Sequence, residues 1–448
     1  MNYMKRLYYW IVFLLFFSCT SKEKQVASEK KLLVDIQIES GIKNLVDQFL
    51  LSEVVQDIEI IPLETSDESL ISGAWNIAVG EKDVFVAGGK TILRFDRGTG
   101  KFLNRVTRFG QGPNETLYND GVGVDDRNQL IYTLANPFGK NELKAFTYDG
   151  KCQSTVKVAK TGGWMESGSV YGLGTKARRT YMYVNGKHLF RRMLPVQDGS
   201  KGEPWQIGIV DDFGKPMKKI VDPSCVGHNG SADIRKTKDG EWDVDVKYAI
   251  SSFAPSLNCY YNHINCLFAN NDTIYRYSEK MKAFKPRYIL HCGERPDLAS
   301  LHRMKKENDY YRCLFVSDIL ETKEYLYLIA NQDVYSYLLR VNKEDGKIVS
   351  IRNSGKYKET PIMKVKYVDV EVPMFTNDLC GGIPFFPFDQ NENSWIVKYE
   401  ASDLLEQIDL EGLKATEVLM PEKKEQLIRI LENLKEDDNP VIMIATLK

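Results

Sequence analysis

The sequence is poor in the residues that most catalytic chemistry needs. Histidine occurs 5 times in 448 residues, at His188, His228, His263, His291 and His302. No two of these stand at the i, i+4 spacing that sets a metal-binding pair on one helix face, and no H-E-x-x-H is present. The 8 cysteines form no C-x-x-C pair, which excludes a zinc ribbon and a thioredoxin-type redox motif. The G-x-S-x-G elbow of many hydrolases is missing as well. Charge of one sign is not in excess: Lys+Arg 60 against Asp+Glu 61 leaves a net charge of -1. A nucleic-acid partner needs a basic footprint, and none exists here. No cofactor and no metal site is expected from this inventory, and no residue stands out as catalytic.

Long apolar runs are also lacking, with one exception at the start. Leu7 to Phe17 is apolar throughout and follows Lys5 and Arg6. A membrane span needs about 20 such residues, so this run is too short to cross and fits the apolar region of a signal peptide. Ser18 and Cys19 follow, then the polar stretch TSKEKQVASEKK. The pattern resembles a bacterial lipobox, in which Cys19 is the lipid-attachment residue. The expected layout is a signal peptide over 1–18, a flexible tether over 19–34 and a folded domain over 35–448. Thr20, not Asp, follows the cysteine, which points to the outer membrane; the periplasmic or cell-surface side is left open. Of the remaining cysteines, Cys259 and Cys266 read as buried free thiols.

What the chain has in quantity is strand. Aromatics make up 11% of the residues, with Tyr 24 and Phe 20, a bias that suits pleated sheets. One module recurs: a short apolar strand, a turn with Asp or Asn and Gly-Lys, and a second strand. Copies begin at Ile92, Leu143, Ile207 and Tyr337, with a degenerate one at Thr273 that has lost its glycine. Each hairpin is preceded by a further strand pair, as at 75–79 and 84–87 before Ile92. Four antiparallel strands repeated at intervals of about 50 to 65 residues are the pattern of propeller blades. A lone four-stranded sheet has two apolar faces, and radial packing hides both. Six units are expected, the last holding Ile383 to Phe386 and Trp395 to Tyr399 and then running into a helix from Pro421. Asp57 to Thr65 is a strand without a blade of its own. It is expected to pair with the C-terminal strand, Val441 to Leu447, and close the ring.

IPLETSDESLI from Ile61, FDRGTGKFL, RFGQGPNE from Arg108 and DNPVIMIATLK at the C-terminus together resemble the six-bladed β-propeller lipoproteins of Bacteroidetes-type bacteria. The resemblance implies an all-β fold and export, and it implies no substrate.

In a propeller the loops from each outermost strand to the next innermost strand form one face, and binding is expected there. Here these are 108–120, 159–168, 291–312 and 375–389. GQGPNE is not a phosphate loop, since it precedes a strand and no Lys-Ser/Thr follows; it reads first as a blade-connecting turn. Arg108, Gln111, Tyr118 and Asn119 are its side chains able to meet a polar ligand. Trp164 and Trp242, placed in loops, are candidates for stacking on sugars. The expected function is a lipid-anchored binding or scaffold propeller at the outer membrane. Its partners are the membrane, through the N-terminal lipid, and an unidentified protein, peptide or glycan. The alternatives are a metal-dependent propeller lyase or hydrolase and a glycan-binding component of a nutrient-uptake system.

Overall fold

The computed structural model describes residues 33–71, 76–88, 90–135, 141–158, 181–184, 186–196, 205–211, 213–221, 232–236, 242–246, 255–261, 263–268, 271–294, 309–359, 366–387 and 389–448. They form a six-bladed β-propeller. Blade one runs Asn76–Val79, Asp83–Ala87, Ile92–Asp96 and Phe102–Phe109, in that order from the axis outward. Blade two is Asn119–Asp125, Leu130–Ala135, Glu142–Thr147 and Cys152–Lys157, and blade three is Tyr181–Val184, Lys187–Val196, Trp205–Val210 and Lys218–Val221. Blade four is Ser256–Tyr260, His263–Leu267, Thr273–Ser278 and Ala283–Leu290. Blade five is Phe315–Glu321, Tyr325–Gln332, Tyr335–Asn342 and Ile348–Ser354.

Blade six is made from both ends of the chain. Asp389–Asn391 and Ser394–Tyr399 are followed by Val441–Leu447, and Val55–Pro62 adds the outermost strand. Ile60 faces Met443, as the unpaired strand at Asp57 led us to expect. The innermost strand differs from expectation. It is Asp389–Asn391, because Phe385 and Phe386 are drawn into the core and Phe385 makes only an isolated bridge to Phe375. Three helices, Ala401–Gln407, Leu410–Ala415 and Pro421–Leu431, cover this end of blade six and bury Leu404, Leu413, Leu427 and Leu431. Pro421 occupies the first turn, where its missing N–H costs nothing.

The packing follows from the two-faced sheets. Each seam between neighbouring blades has its own apolar cluster. Ile77, Phe95, Ile396 and Ile444 fill the seam from blade six to one. Phe85, Val122 and Phe146 fill the seam from one to two, and Leu134, Tyr181 and Phe190 that from two to three. Leu189, Ile207 and Leu257 lie between three and four, Leu267, Ile319 and Leu328 between four and five, and Tyr327, Phe375 and Trp395 between five and six. A closed ring is the arrangement in which every seam is filled.

Two additions were not expected from the pattern of strands. Residues 33–54 form a strap over the outer edges of blades four to six. Val34–Ile36 adds a fifth strand to blade four, parallel to Ala283–Leu290. Leu45 bridges Ser350 at the edge of blade five, and Phe49, Leu51 and Val54 plug the seam between blades five and six. Two hairpins also stand between blades: Ala232–Lys236 with Trp242–Val246, and Lys356–Glu359 with Lys366–Asp369.

Candidate functional site

The innermost strands surround the axis. Each enters from the face carrying the blade-to-blade loops and ends in a tight turn on the opposite face. At that turn face, the ring opens into a cavity of about 550 Å³. Its walls are the ends of the innermost strands of blades one, two, three and six, and Cys259 of blade four also lines it. The room comes from small residues near the axis, among them Ala78, Gly80 and Gly123. Blade two is shaped for this place. Gly121 takes φ +76° at a bulge between Asp120 and Gly123, a conformation that costs glycine little. At Gly123 a Cβ would stand 2.1 Å from Cβ of Tyr183, so only glycine lets the blade-three strand lie against blade two here.

On the far side of the axis the strands are drawn together. Nδ2 of Asn258 donates to Oε1 of Gln390 at 2.5 Å, and Nε2 of Gln390 donates to the Glu321 carbonyl at 2.9 Å. The Tyr261 amide reaches the Glu392 carbonyl at 2.8 Å. These bonds tie blade six to blades four and five beside the cavity, whose lining includes Gln390 and Glu392.

Its lining is polar and unevenly charged. Glu81, Asp125, Asp126, Asp389 and Glu392 supply carboxylates, against the guanidinium groups of Arg97 and Arg127. Arg97 is already committed: it donates to Glu59 at 2.9 and 2.5 Å and to the Gly80 carbonyl at 2.8 Å. Asp125 accepts from the Asn128 amide at 3.1 Å and from the Tyr183 hydroxyl at 3.3 Å. Asp126 accepts from the Glu81 amide at 2.9 Å and from the Tyr148 hydroxyl at 2.8 Å. These bonds fix the acids in place without adding positive charge. Burial pushes the Cys259 thiol up, and Glu392 and Asp389 push it further, so it is neutral and a poor nucleophile. Tyr183 is likewise raised, by burial first and then by Asp125, and stays a hydrogen-bond donor. Among the described residues no group of three His, Cys, Asp or Glu is placed to hold a metal ion.

Beside the cavity, in the seam of blades four and five, Glu321 is 1% exposed. Nη2 of Arg276 donates to both its oxygens at 2.8 Å, Nζ of Lys343 at 3.1 Å and Nδ2 of Asn265 at 2.5 Å. Nδ1 of His263 stands 3.9 Å away. The arrangement is a buried anion held by two cations, and its backbone is bonded to Asn258 and Gln390, the pair that joins blades four and six.

The residues singled out from the sequence lie elsewhere. Arg108 and Gln111 are exposed on the loop face, and Tyr118 is half-buried. Asn119 is 1% exposed and its Nδ2 donates to Oγ1 of Thr107 at 3.2 Å. The GQGPNE turn staples blades one and two. Asn114 accepts from the Cys152 amide at 2.9 Å, Glu115 accepts from Gly112 through its carboxylate at 2.8 Å, and its carbonyl accepts from Lys144 at 2.9 Å. The loop at 375–389 is largely core, with Phe375 and Cys380 at 0% exposure beneath the helices. Cys19 and Trp164 fall outside the described residues, as does the side chain of Trp242, whose backbone is in a strand rather than a loop. Asn119 and Asp125 are the two ends of one strand, roughly 20 Å apart at about 3.3 Å per residue. The loop-face candidates and the cavity are therefore on opposite faces. Sequence reasoning passed over the acids because Asp125 and Asp126 look like ordinary turn residues. The available signal was that Glu81, Asp125, Asp126 and Glu392 all fall within two residues of the end of an innermost strand.

Of three similar solved structures, the first shares the fold. An exported protein of Bacteroides fragilis aligns over 93% of this chain and 99% of its own, at 12% identity and a TM-score of 0.55. A DUF4221 family member from Bacteroides vulgatus covers 70% of this chain and 89% of its own, at 13% identity and a TM-score of 0.41. The extracellular domain of a one-component system from B. thetaiotaomicron covers 68% of this chain and 32% of its own, at 11% identity and a TM-score of 0.31. No curated protein matches the sequence. The family of domains of unknown function DUF4934 matches residues 33–446, nearly the whole described ring, and the chain belongs to that family.

Proposed function

We propose that this protein is an exported, lipid-anchored binding propeller that takes a polar, positively charged ligand at the mouth of its channel. The observation that carries the reading is the cavity of about 550 Å³ lined by five carboxylates and two guanidinium groups, one of which Glu59 already holds. A cavity of this kind sits within the usual size of small-ligand sites. Its excess of carboxylates favours an ammonium or guanidinium group over a neutral one, since the negative lining attracts a cation and supplies its counter-charge. Export is supported by the n-region and apolar run before Cys19 and by the exported Bacteroides fragilis protein of the same fold. Arg108 and Gln111, exposed on the loop face, suit a second, macromolecular partner in a scaffold role.

Titration calorimetry with spermidine, a Lys-Arg dipeptide and neutral oligosaccharides tests the proposal. Binding of the cations, weakened by added salt and by Asp125→Asn together with Glu392→Gln, is expected. Binding of a neutral oligosaccharide that the double variant leaves intact would move the site to a glycan reading and refute this one.

A further inference from the structure

Three neighbouring blades each place a charged side chain on the turn between their first and second strands. These are Glu392 on blade six, Glu81 on blade one and Arg127 on blade two. All three are exposed and line the cavity. Among the described residues no hydrogen bond or ion pair engages these three side chains. A site for cations explains the two acids and leaves Arg127 without a role. The carboxylates nearest to it in the chain are already taken by neutral donors. Asp125 accepts from the amide and Nδ2 of Asn128 at 3.1 and 2.8 Å and from the Tyr183 hydroxyl at 3.3 Å. Asp126 accepts from the Tyr148 hydroxyl at 2.8 Å and from the Glu81 amide at 2.9 Å. The other guanidinium of the lining, that of Arg97, is held by Glu59. Arg127 therefore keeps a planar fork of donors open at the mouth, a shape that matches a carboxylate.

We infer that the ligand of this cavity is a short basic peptide with a free C-terminus, whose carboxylate Arg127 holds while its cationic groups meet the acids of blades six and one. The inference rests on the cation reading above and names its ligand class. A simple anion is turned away, because five carboxylates outnumber the two guanidinium groups of the lining. An anionic group enters only on a molecule that brings surplus positive charge with it. The opposite charges also stand on different blades, with blade one between Glu392 and Arg127, so the ligand must carry its charges apart. A free amino acid holds its ammonium and carboxylate on one carbon. Two or three extended residues span about 7 to 11 Å, against a width of about 10 Å for a round chamber of 550 Å³. A polyamine satisfies the acids alone and sets a like charge beside Arg127.

The Lys-Arg dipeptide and its C-terminal amide, compared by calorimetry at neutral pH, separate these cases, since the amide lacks only the anionic group. The free acid should bind about tenfold more tightly than the amide. Arg127→Gln should weaken the acid and tighten the amide, because it removes a donor from one and a like charge from the other. Arg127→Lys keeps the charge without the fork and should retain part of the preference. Equal affinities in the wild type, or a preference that Arg127→Gln leaves intact, would overturn the peptide assignment while the cation reading stands. Binding of neither dipeptide would overturn the cation reading, and this assignment with it.

Discussion

Removing the Glu321 carboxylate tests whether the buried ion cluster holds blades four and five together. The carboxyl group is 1% exposed, while the side chains of Arg276 and Lys343 are 18% and 22% exposed. Glu321→Gln keeps the shape and leaves two half-buried cations without a counter-charge. Breaking such a pair from one side costs about 3–5 kcal/mol, a factor of roughly 150 to 5000 in the folding constant. Acid should produce part of the same loss in the wild type. Burial alone would raise the Glu321 carboxyl, but Arg276, Lys343 and Asn265 outweigh it and hold it below its ordinary value of 4.5. Because the folded value is the lower one, the stabilisation is complete above 4.5 and fades as the pH falls through the folded value. Burial lowers the Lys343 ammonium from 10.5, an effect on the alkaline side that does not enter this window. Urea unfolding followed by intrinsic fluorescence should show the variant less stable at neutral pH and the gap narrowing as the pH is taken progressively below 4.5. A variant within about 0.5 kcal/mol of wild type, the range of ordinary surface changes, would refute the reasoning. So would a gap that does not change with acid.

Three further outcomes follow from the packing. Phe49→Ala empties the plug between blades five and six and should cost about 3–5 kcal/mol in urea unfolding, although Phe49 lies outside every blade. Ile58→Ala removes a side chain with 0% exposure from the closing strand; a loss of about 2–5 kcal/mol is expected by thermal or urea unfolding, as for a central core residue rather than an edge one. Gly123→Ala must push Tyr183 aside; overpacking should cost about 1–3 kcal/mol and weaken spermidine binding in the same calorimetric assay, because Tyr183 lines the cavity.

The ring was legible in the sequence because its signal is repeated. Gly100, Gly150, Gly214 and Gly346 each mark a hairpin by a left-handed turn, and the apolar strands on either side are spaced as blades. Closure was legible because Asp57 to Thr65 had no partner and the chain ended on a strand. The strap was not, since Val34–Ile36 and the short helix Ile38–Gly41 are single copies and too brief for any periodicity to show. The innermost strand of blade six was misplaced for a related reason. Ile383 to Phe386 has the composition of a strand, but helices placed later in the chain cover it, and only three residues, Asp389–Asn391, complete the sheet. The cavity was the least legible part. Its acids come from the innermost strands of blades one, two and six and the turns that follow them, far apart in the chain, and ring closure puts them around one axis.

The two halves of the ring divide the work. The closing strand Val55–Pro62, the strap plug at Phe49, the Glu321 cluster and the bonds from Asn258 and Tyr261 across the axis all tie blades four, five and six to one another. Blades one to three meet through aromatic seams, Phe85 and Phe146 between one and two and Tyr132, Tyr181 and Phe190 between two and three, with the glycines of blade two beside the cavity. Blade six carries Asp389 and Glu392, and blades one and two contribute Glu81, Asp125 and Asp126. The Arg97–Glu59 pair pins the seam between blades six and one, where the two groups of acids meet. With its acids carried on packed strands and the turns that follow them, the cavity has the preformed walls that the proposed cation site requires.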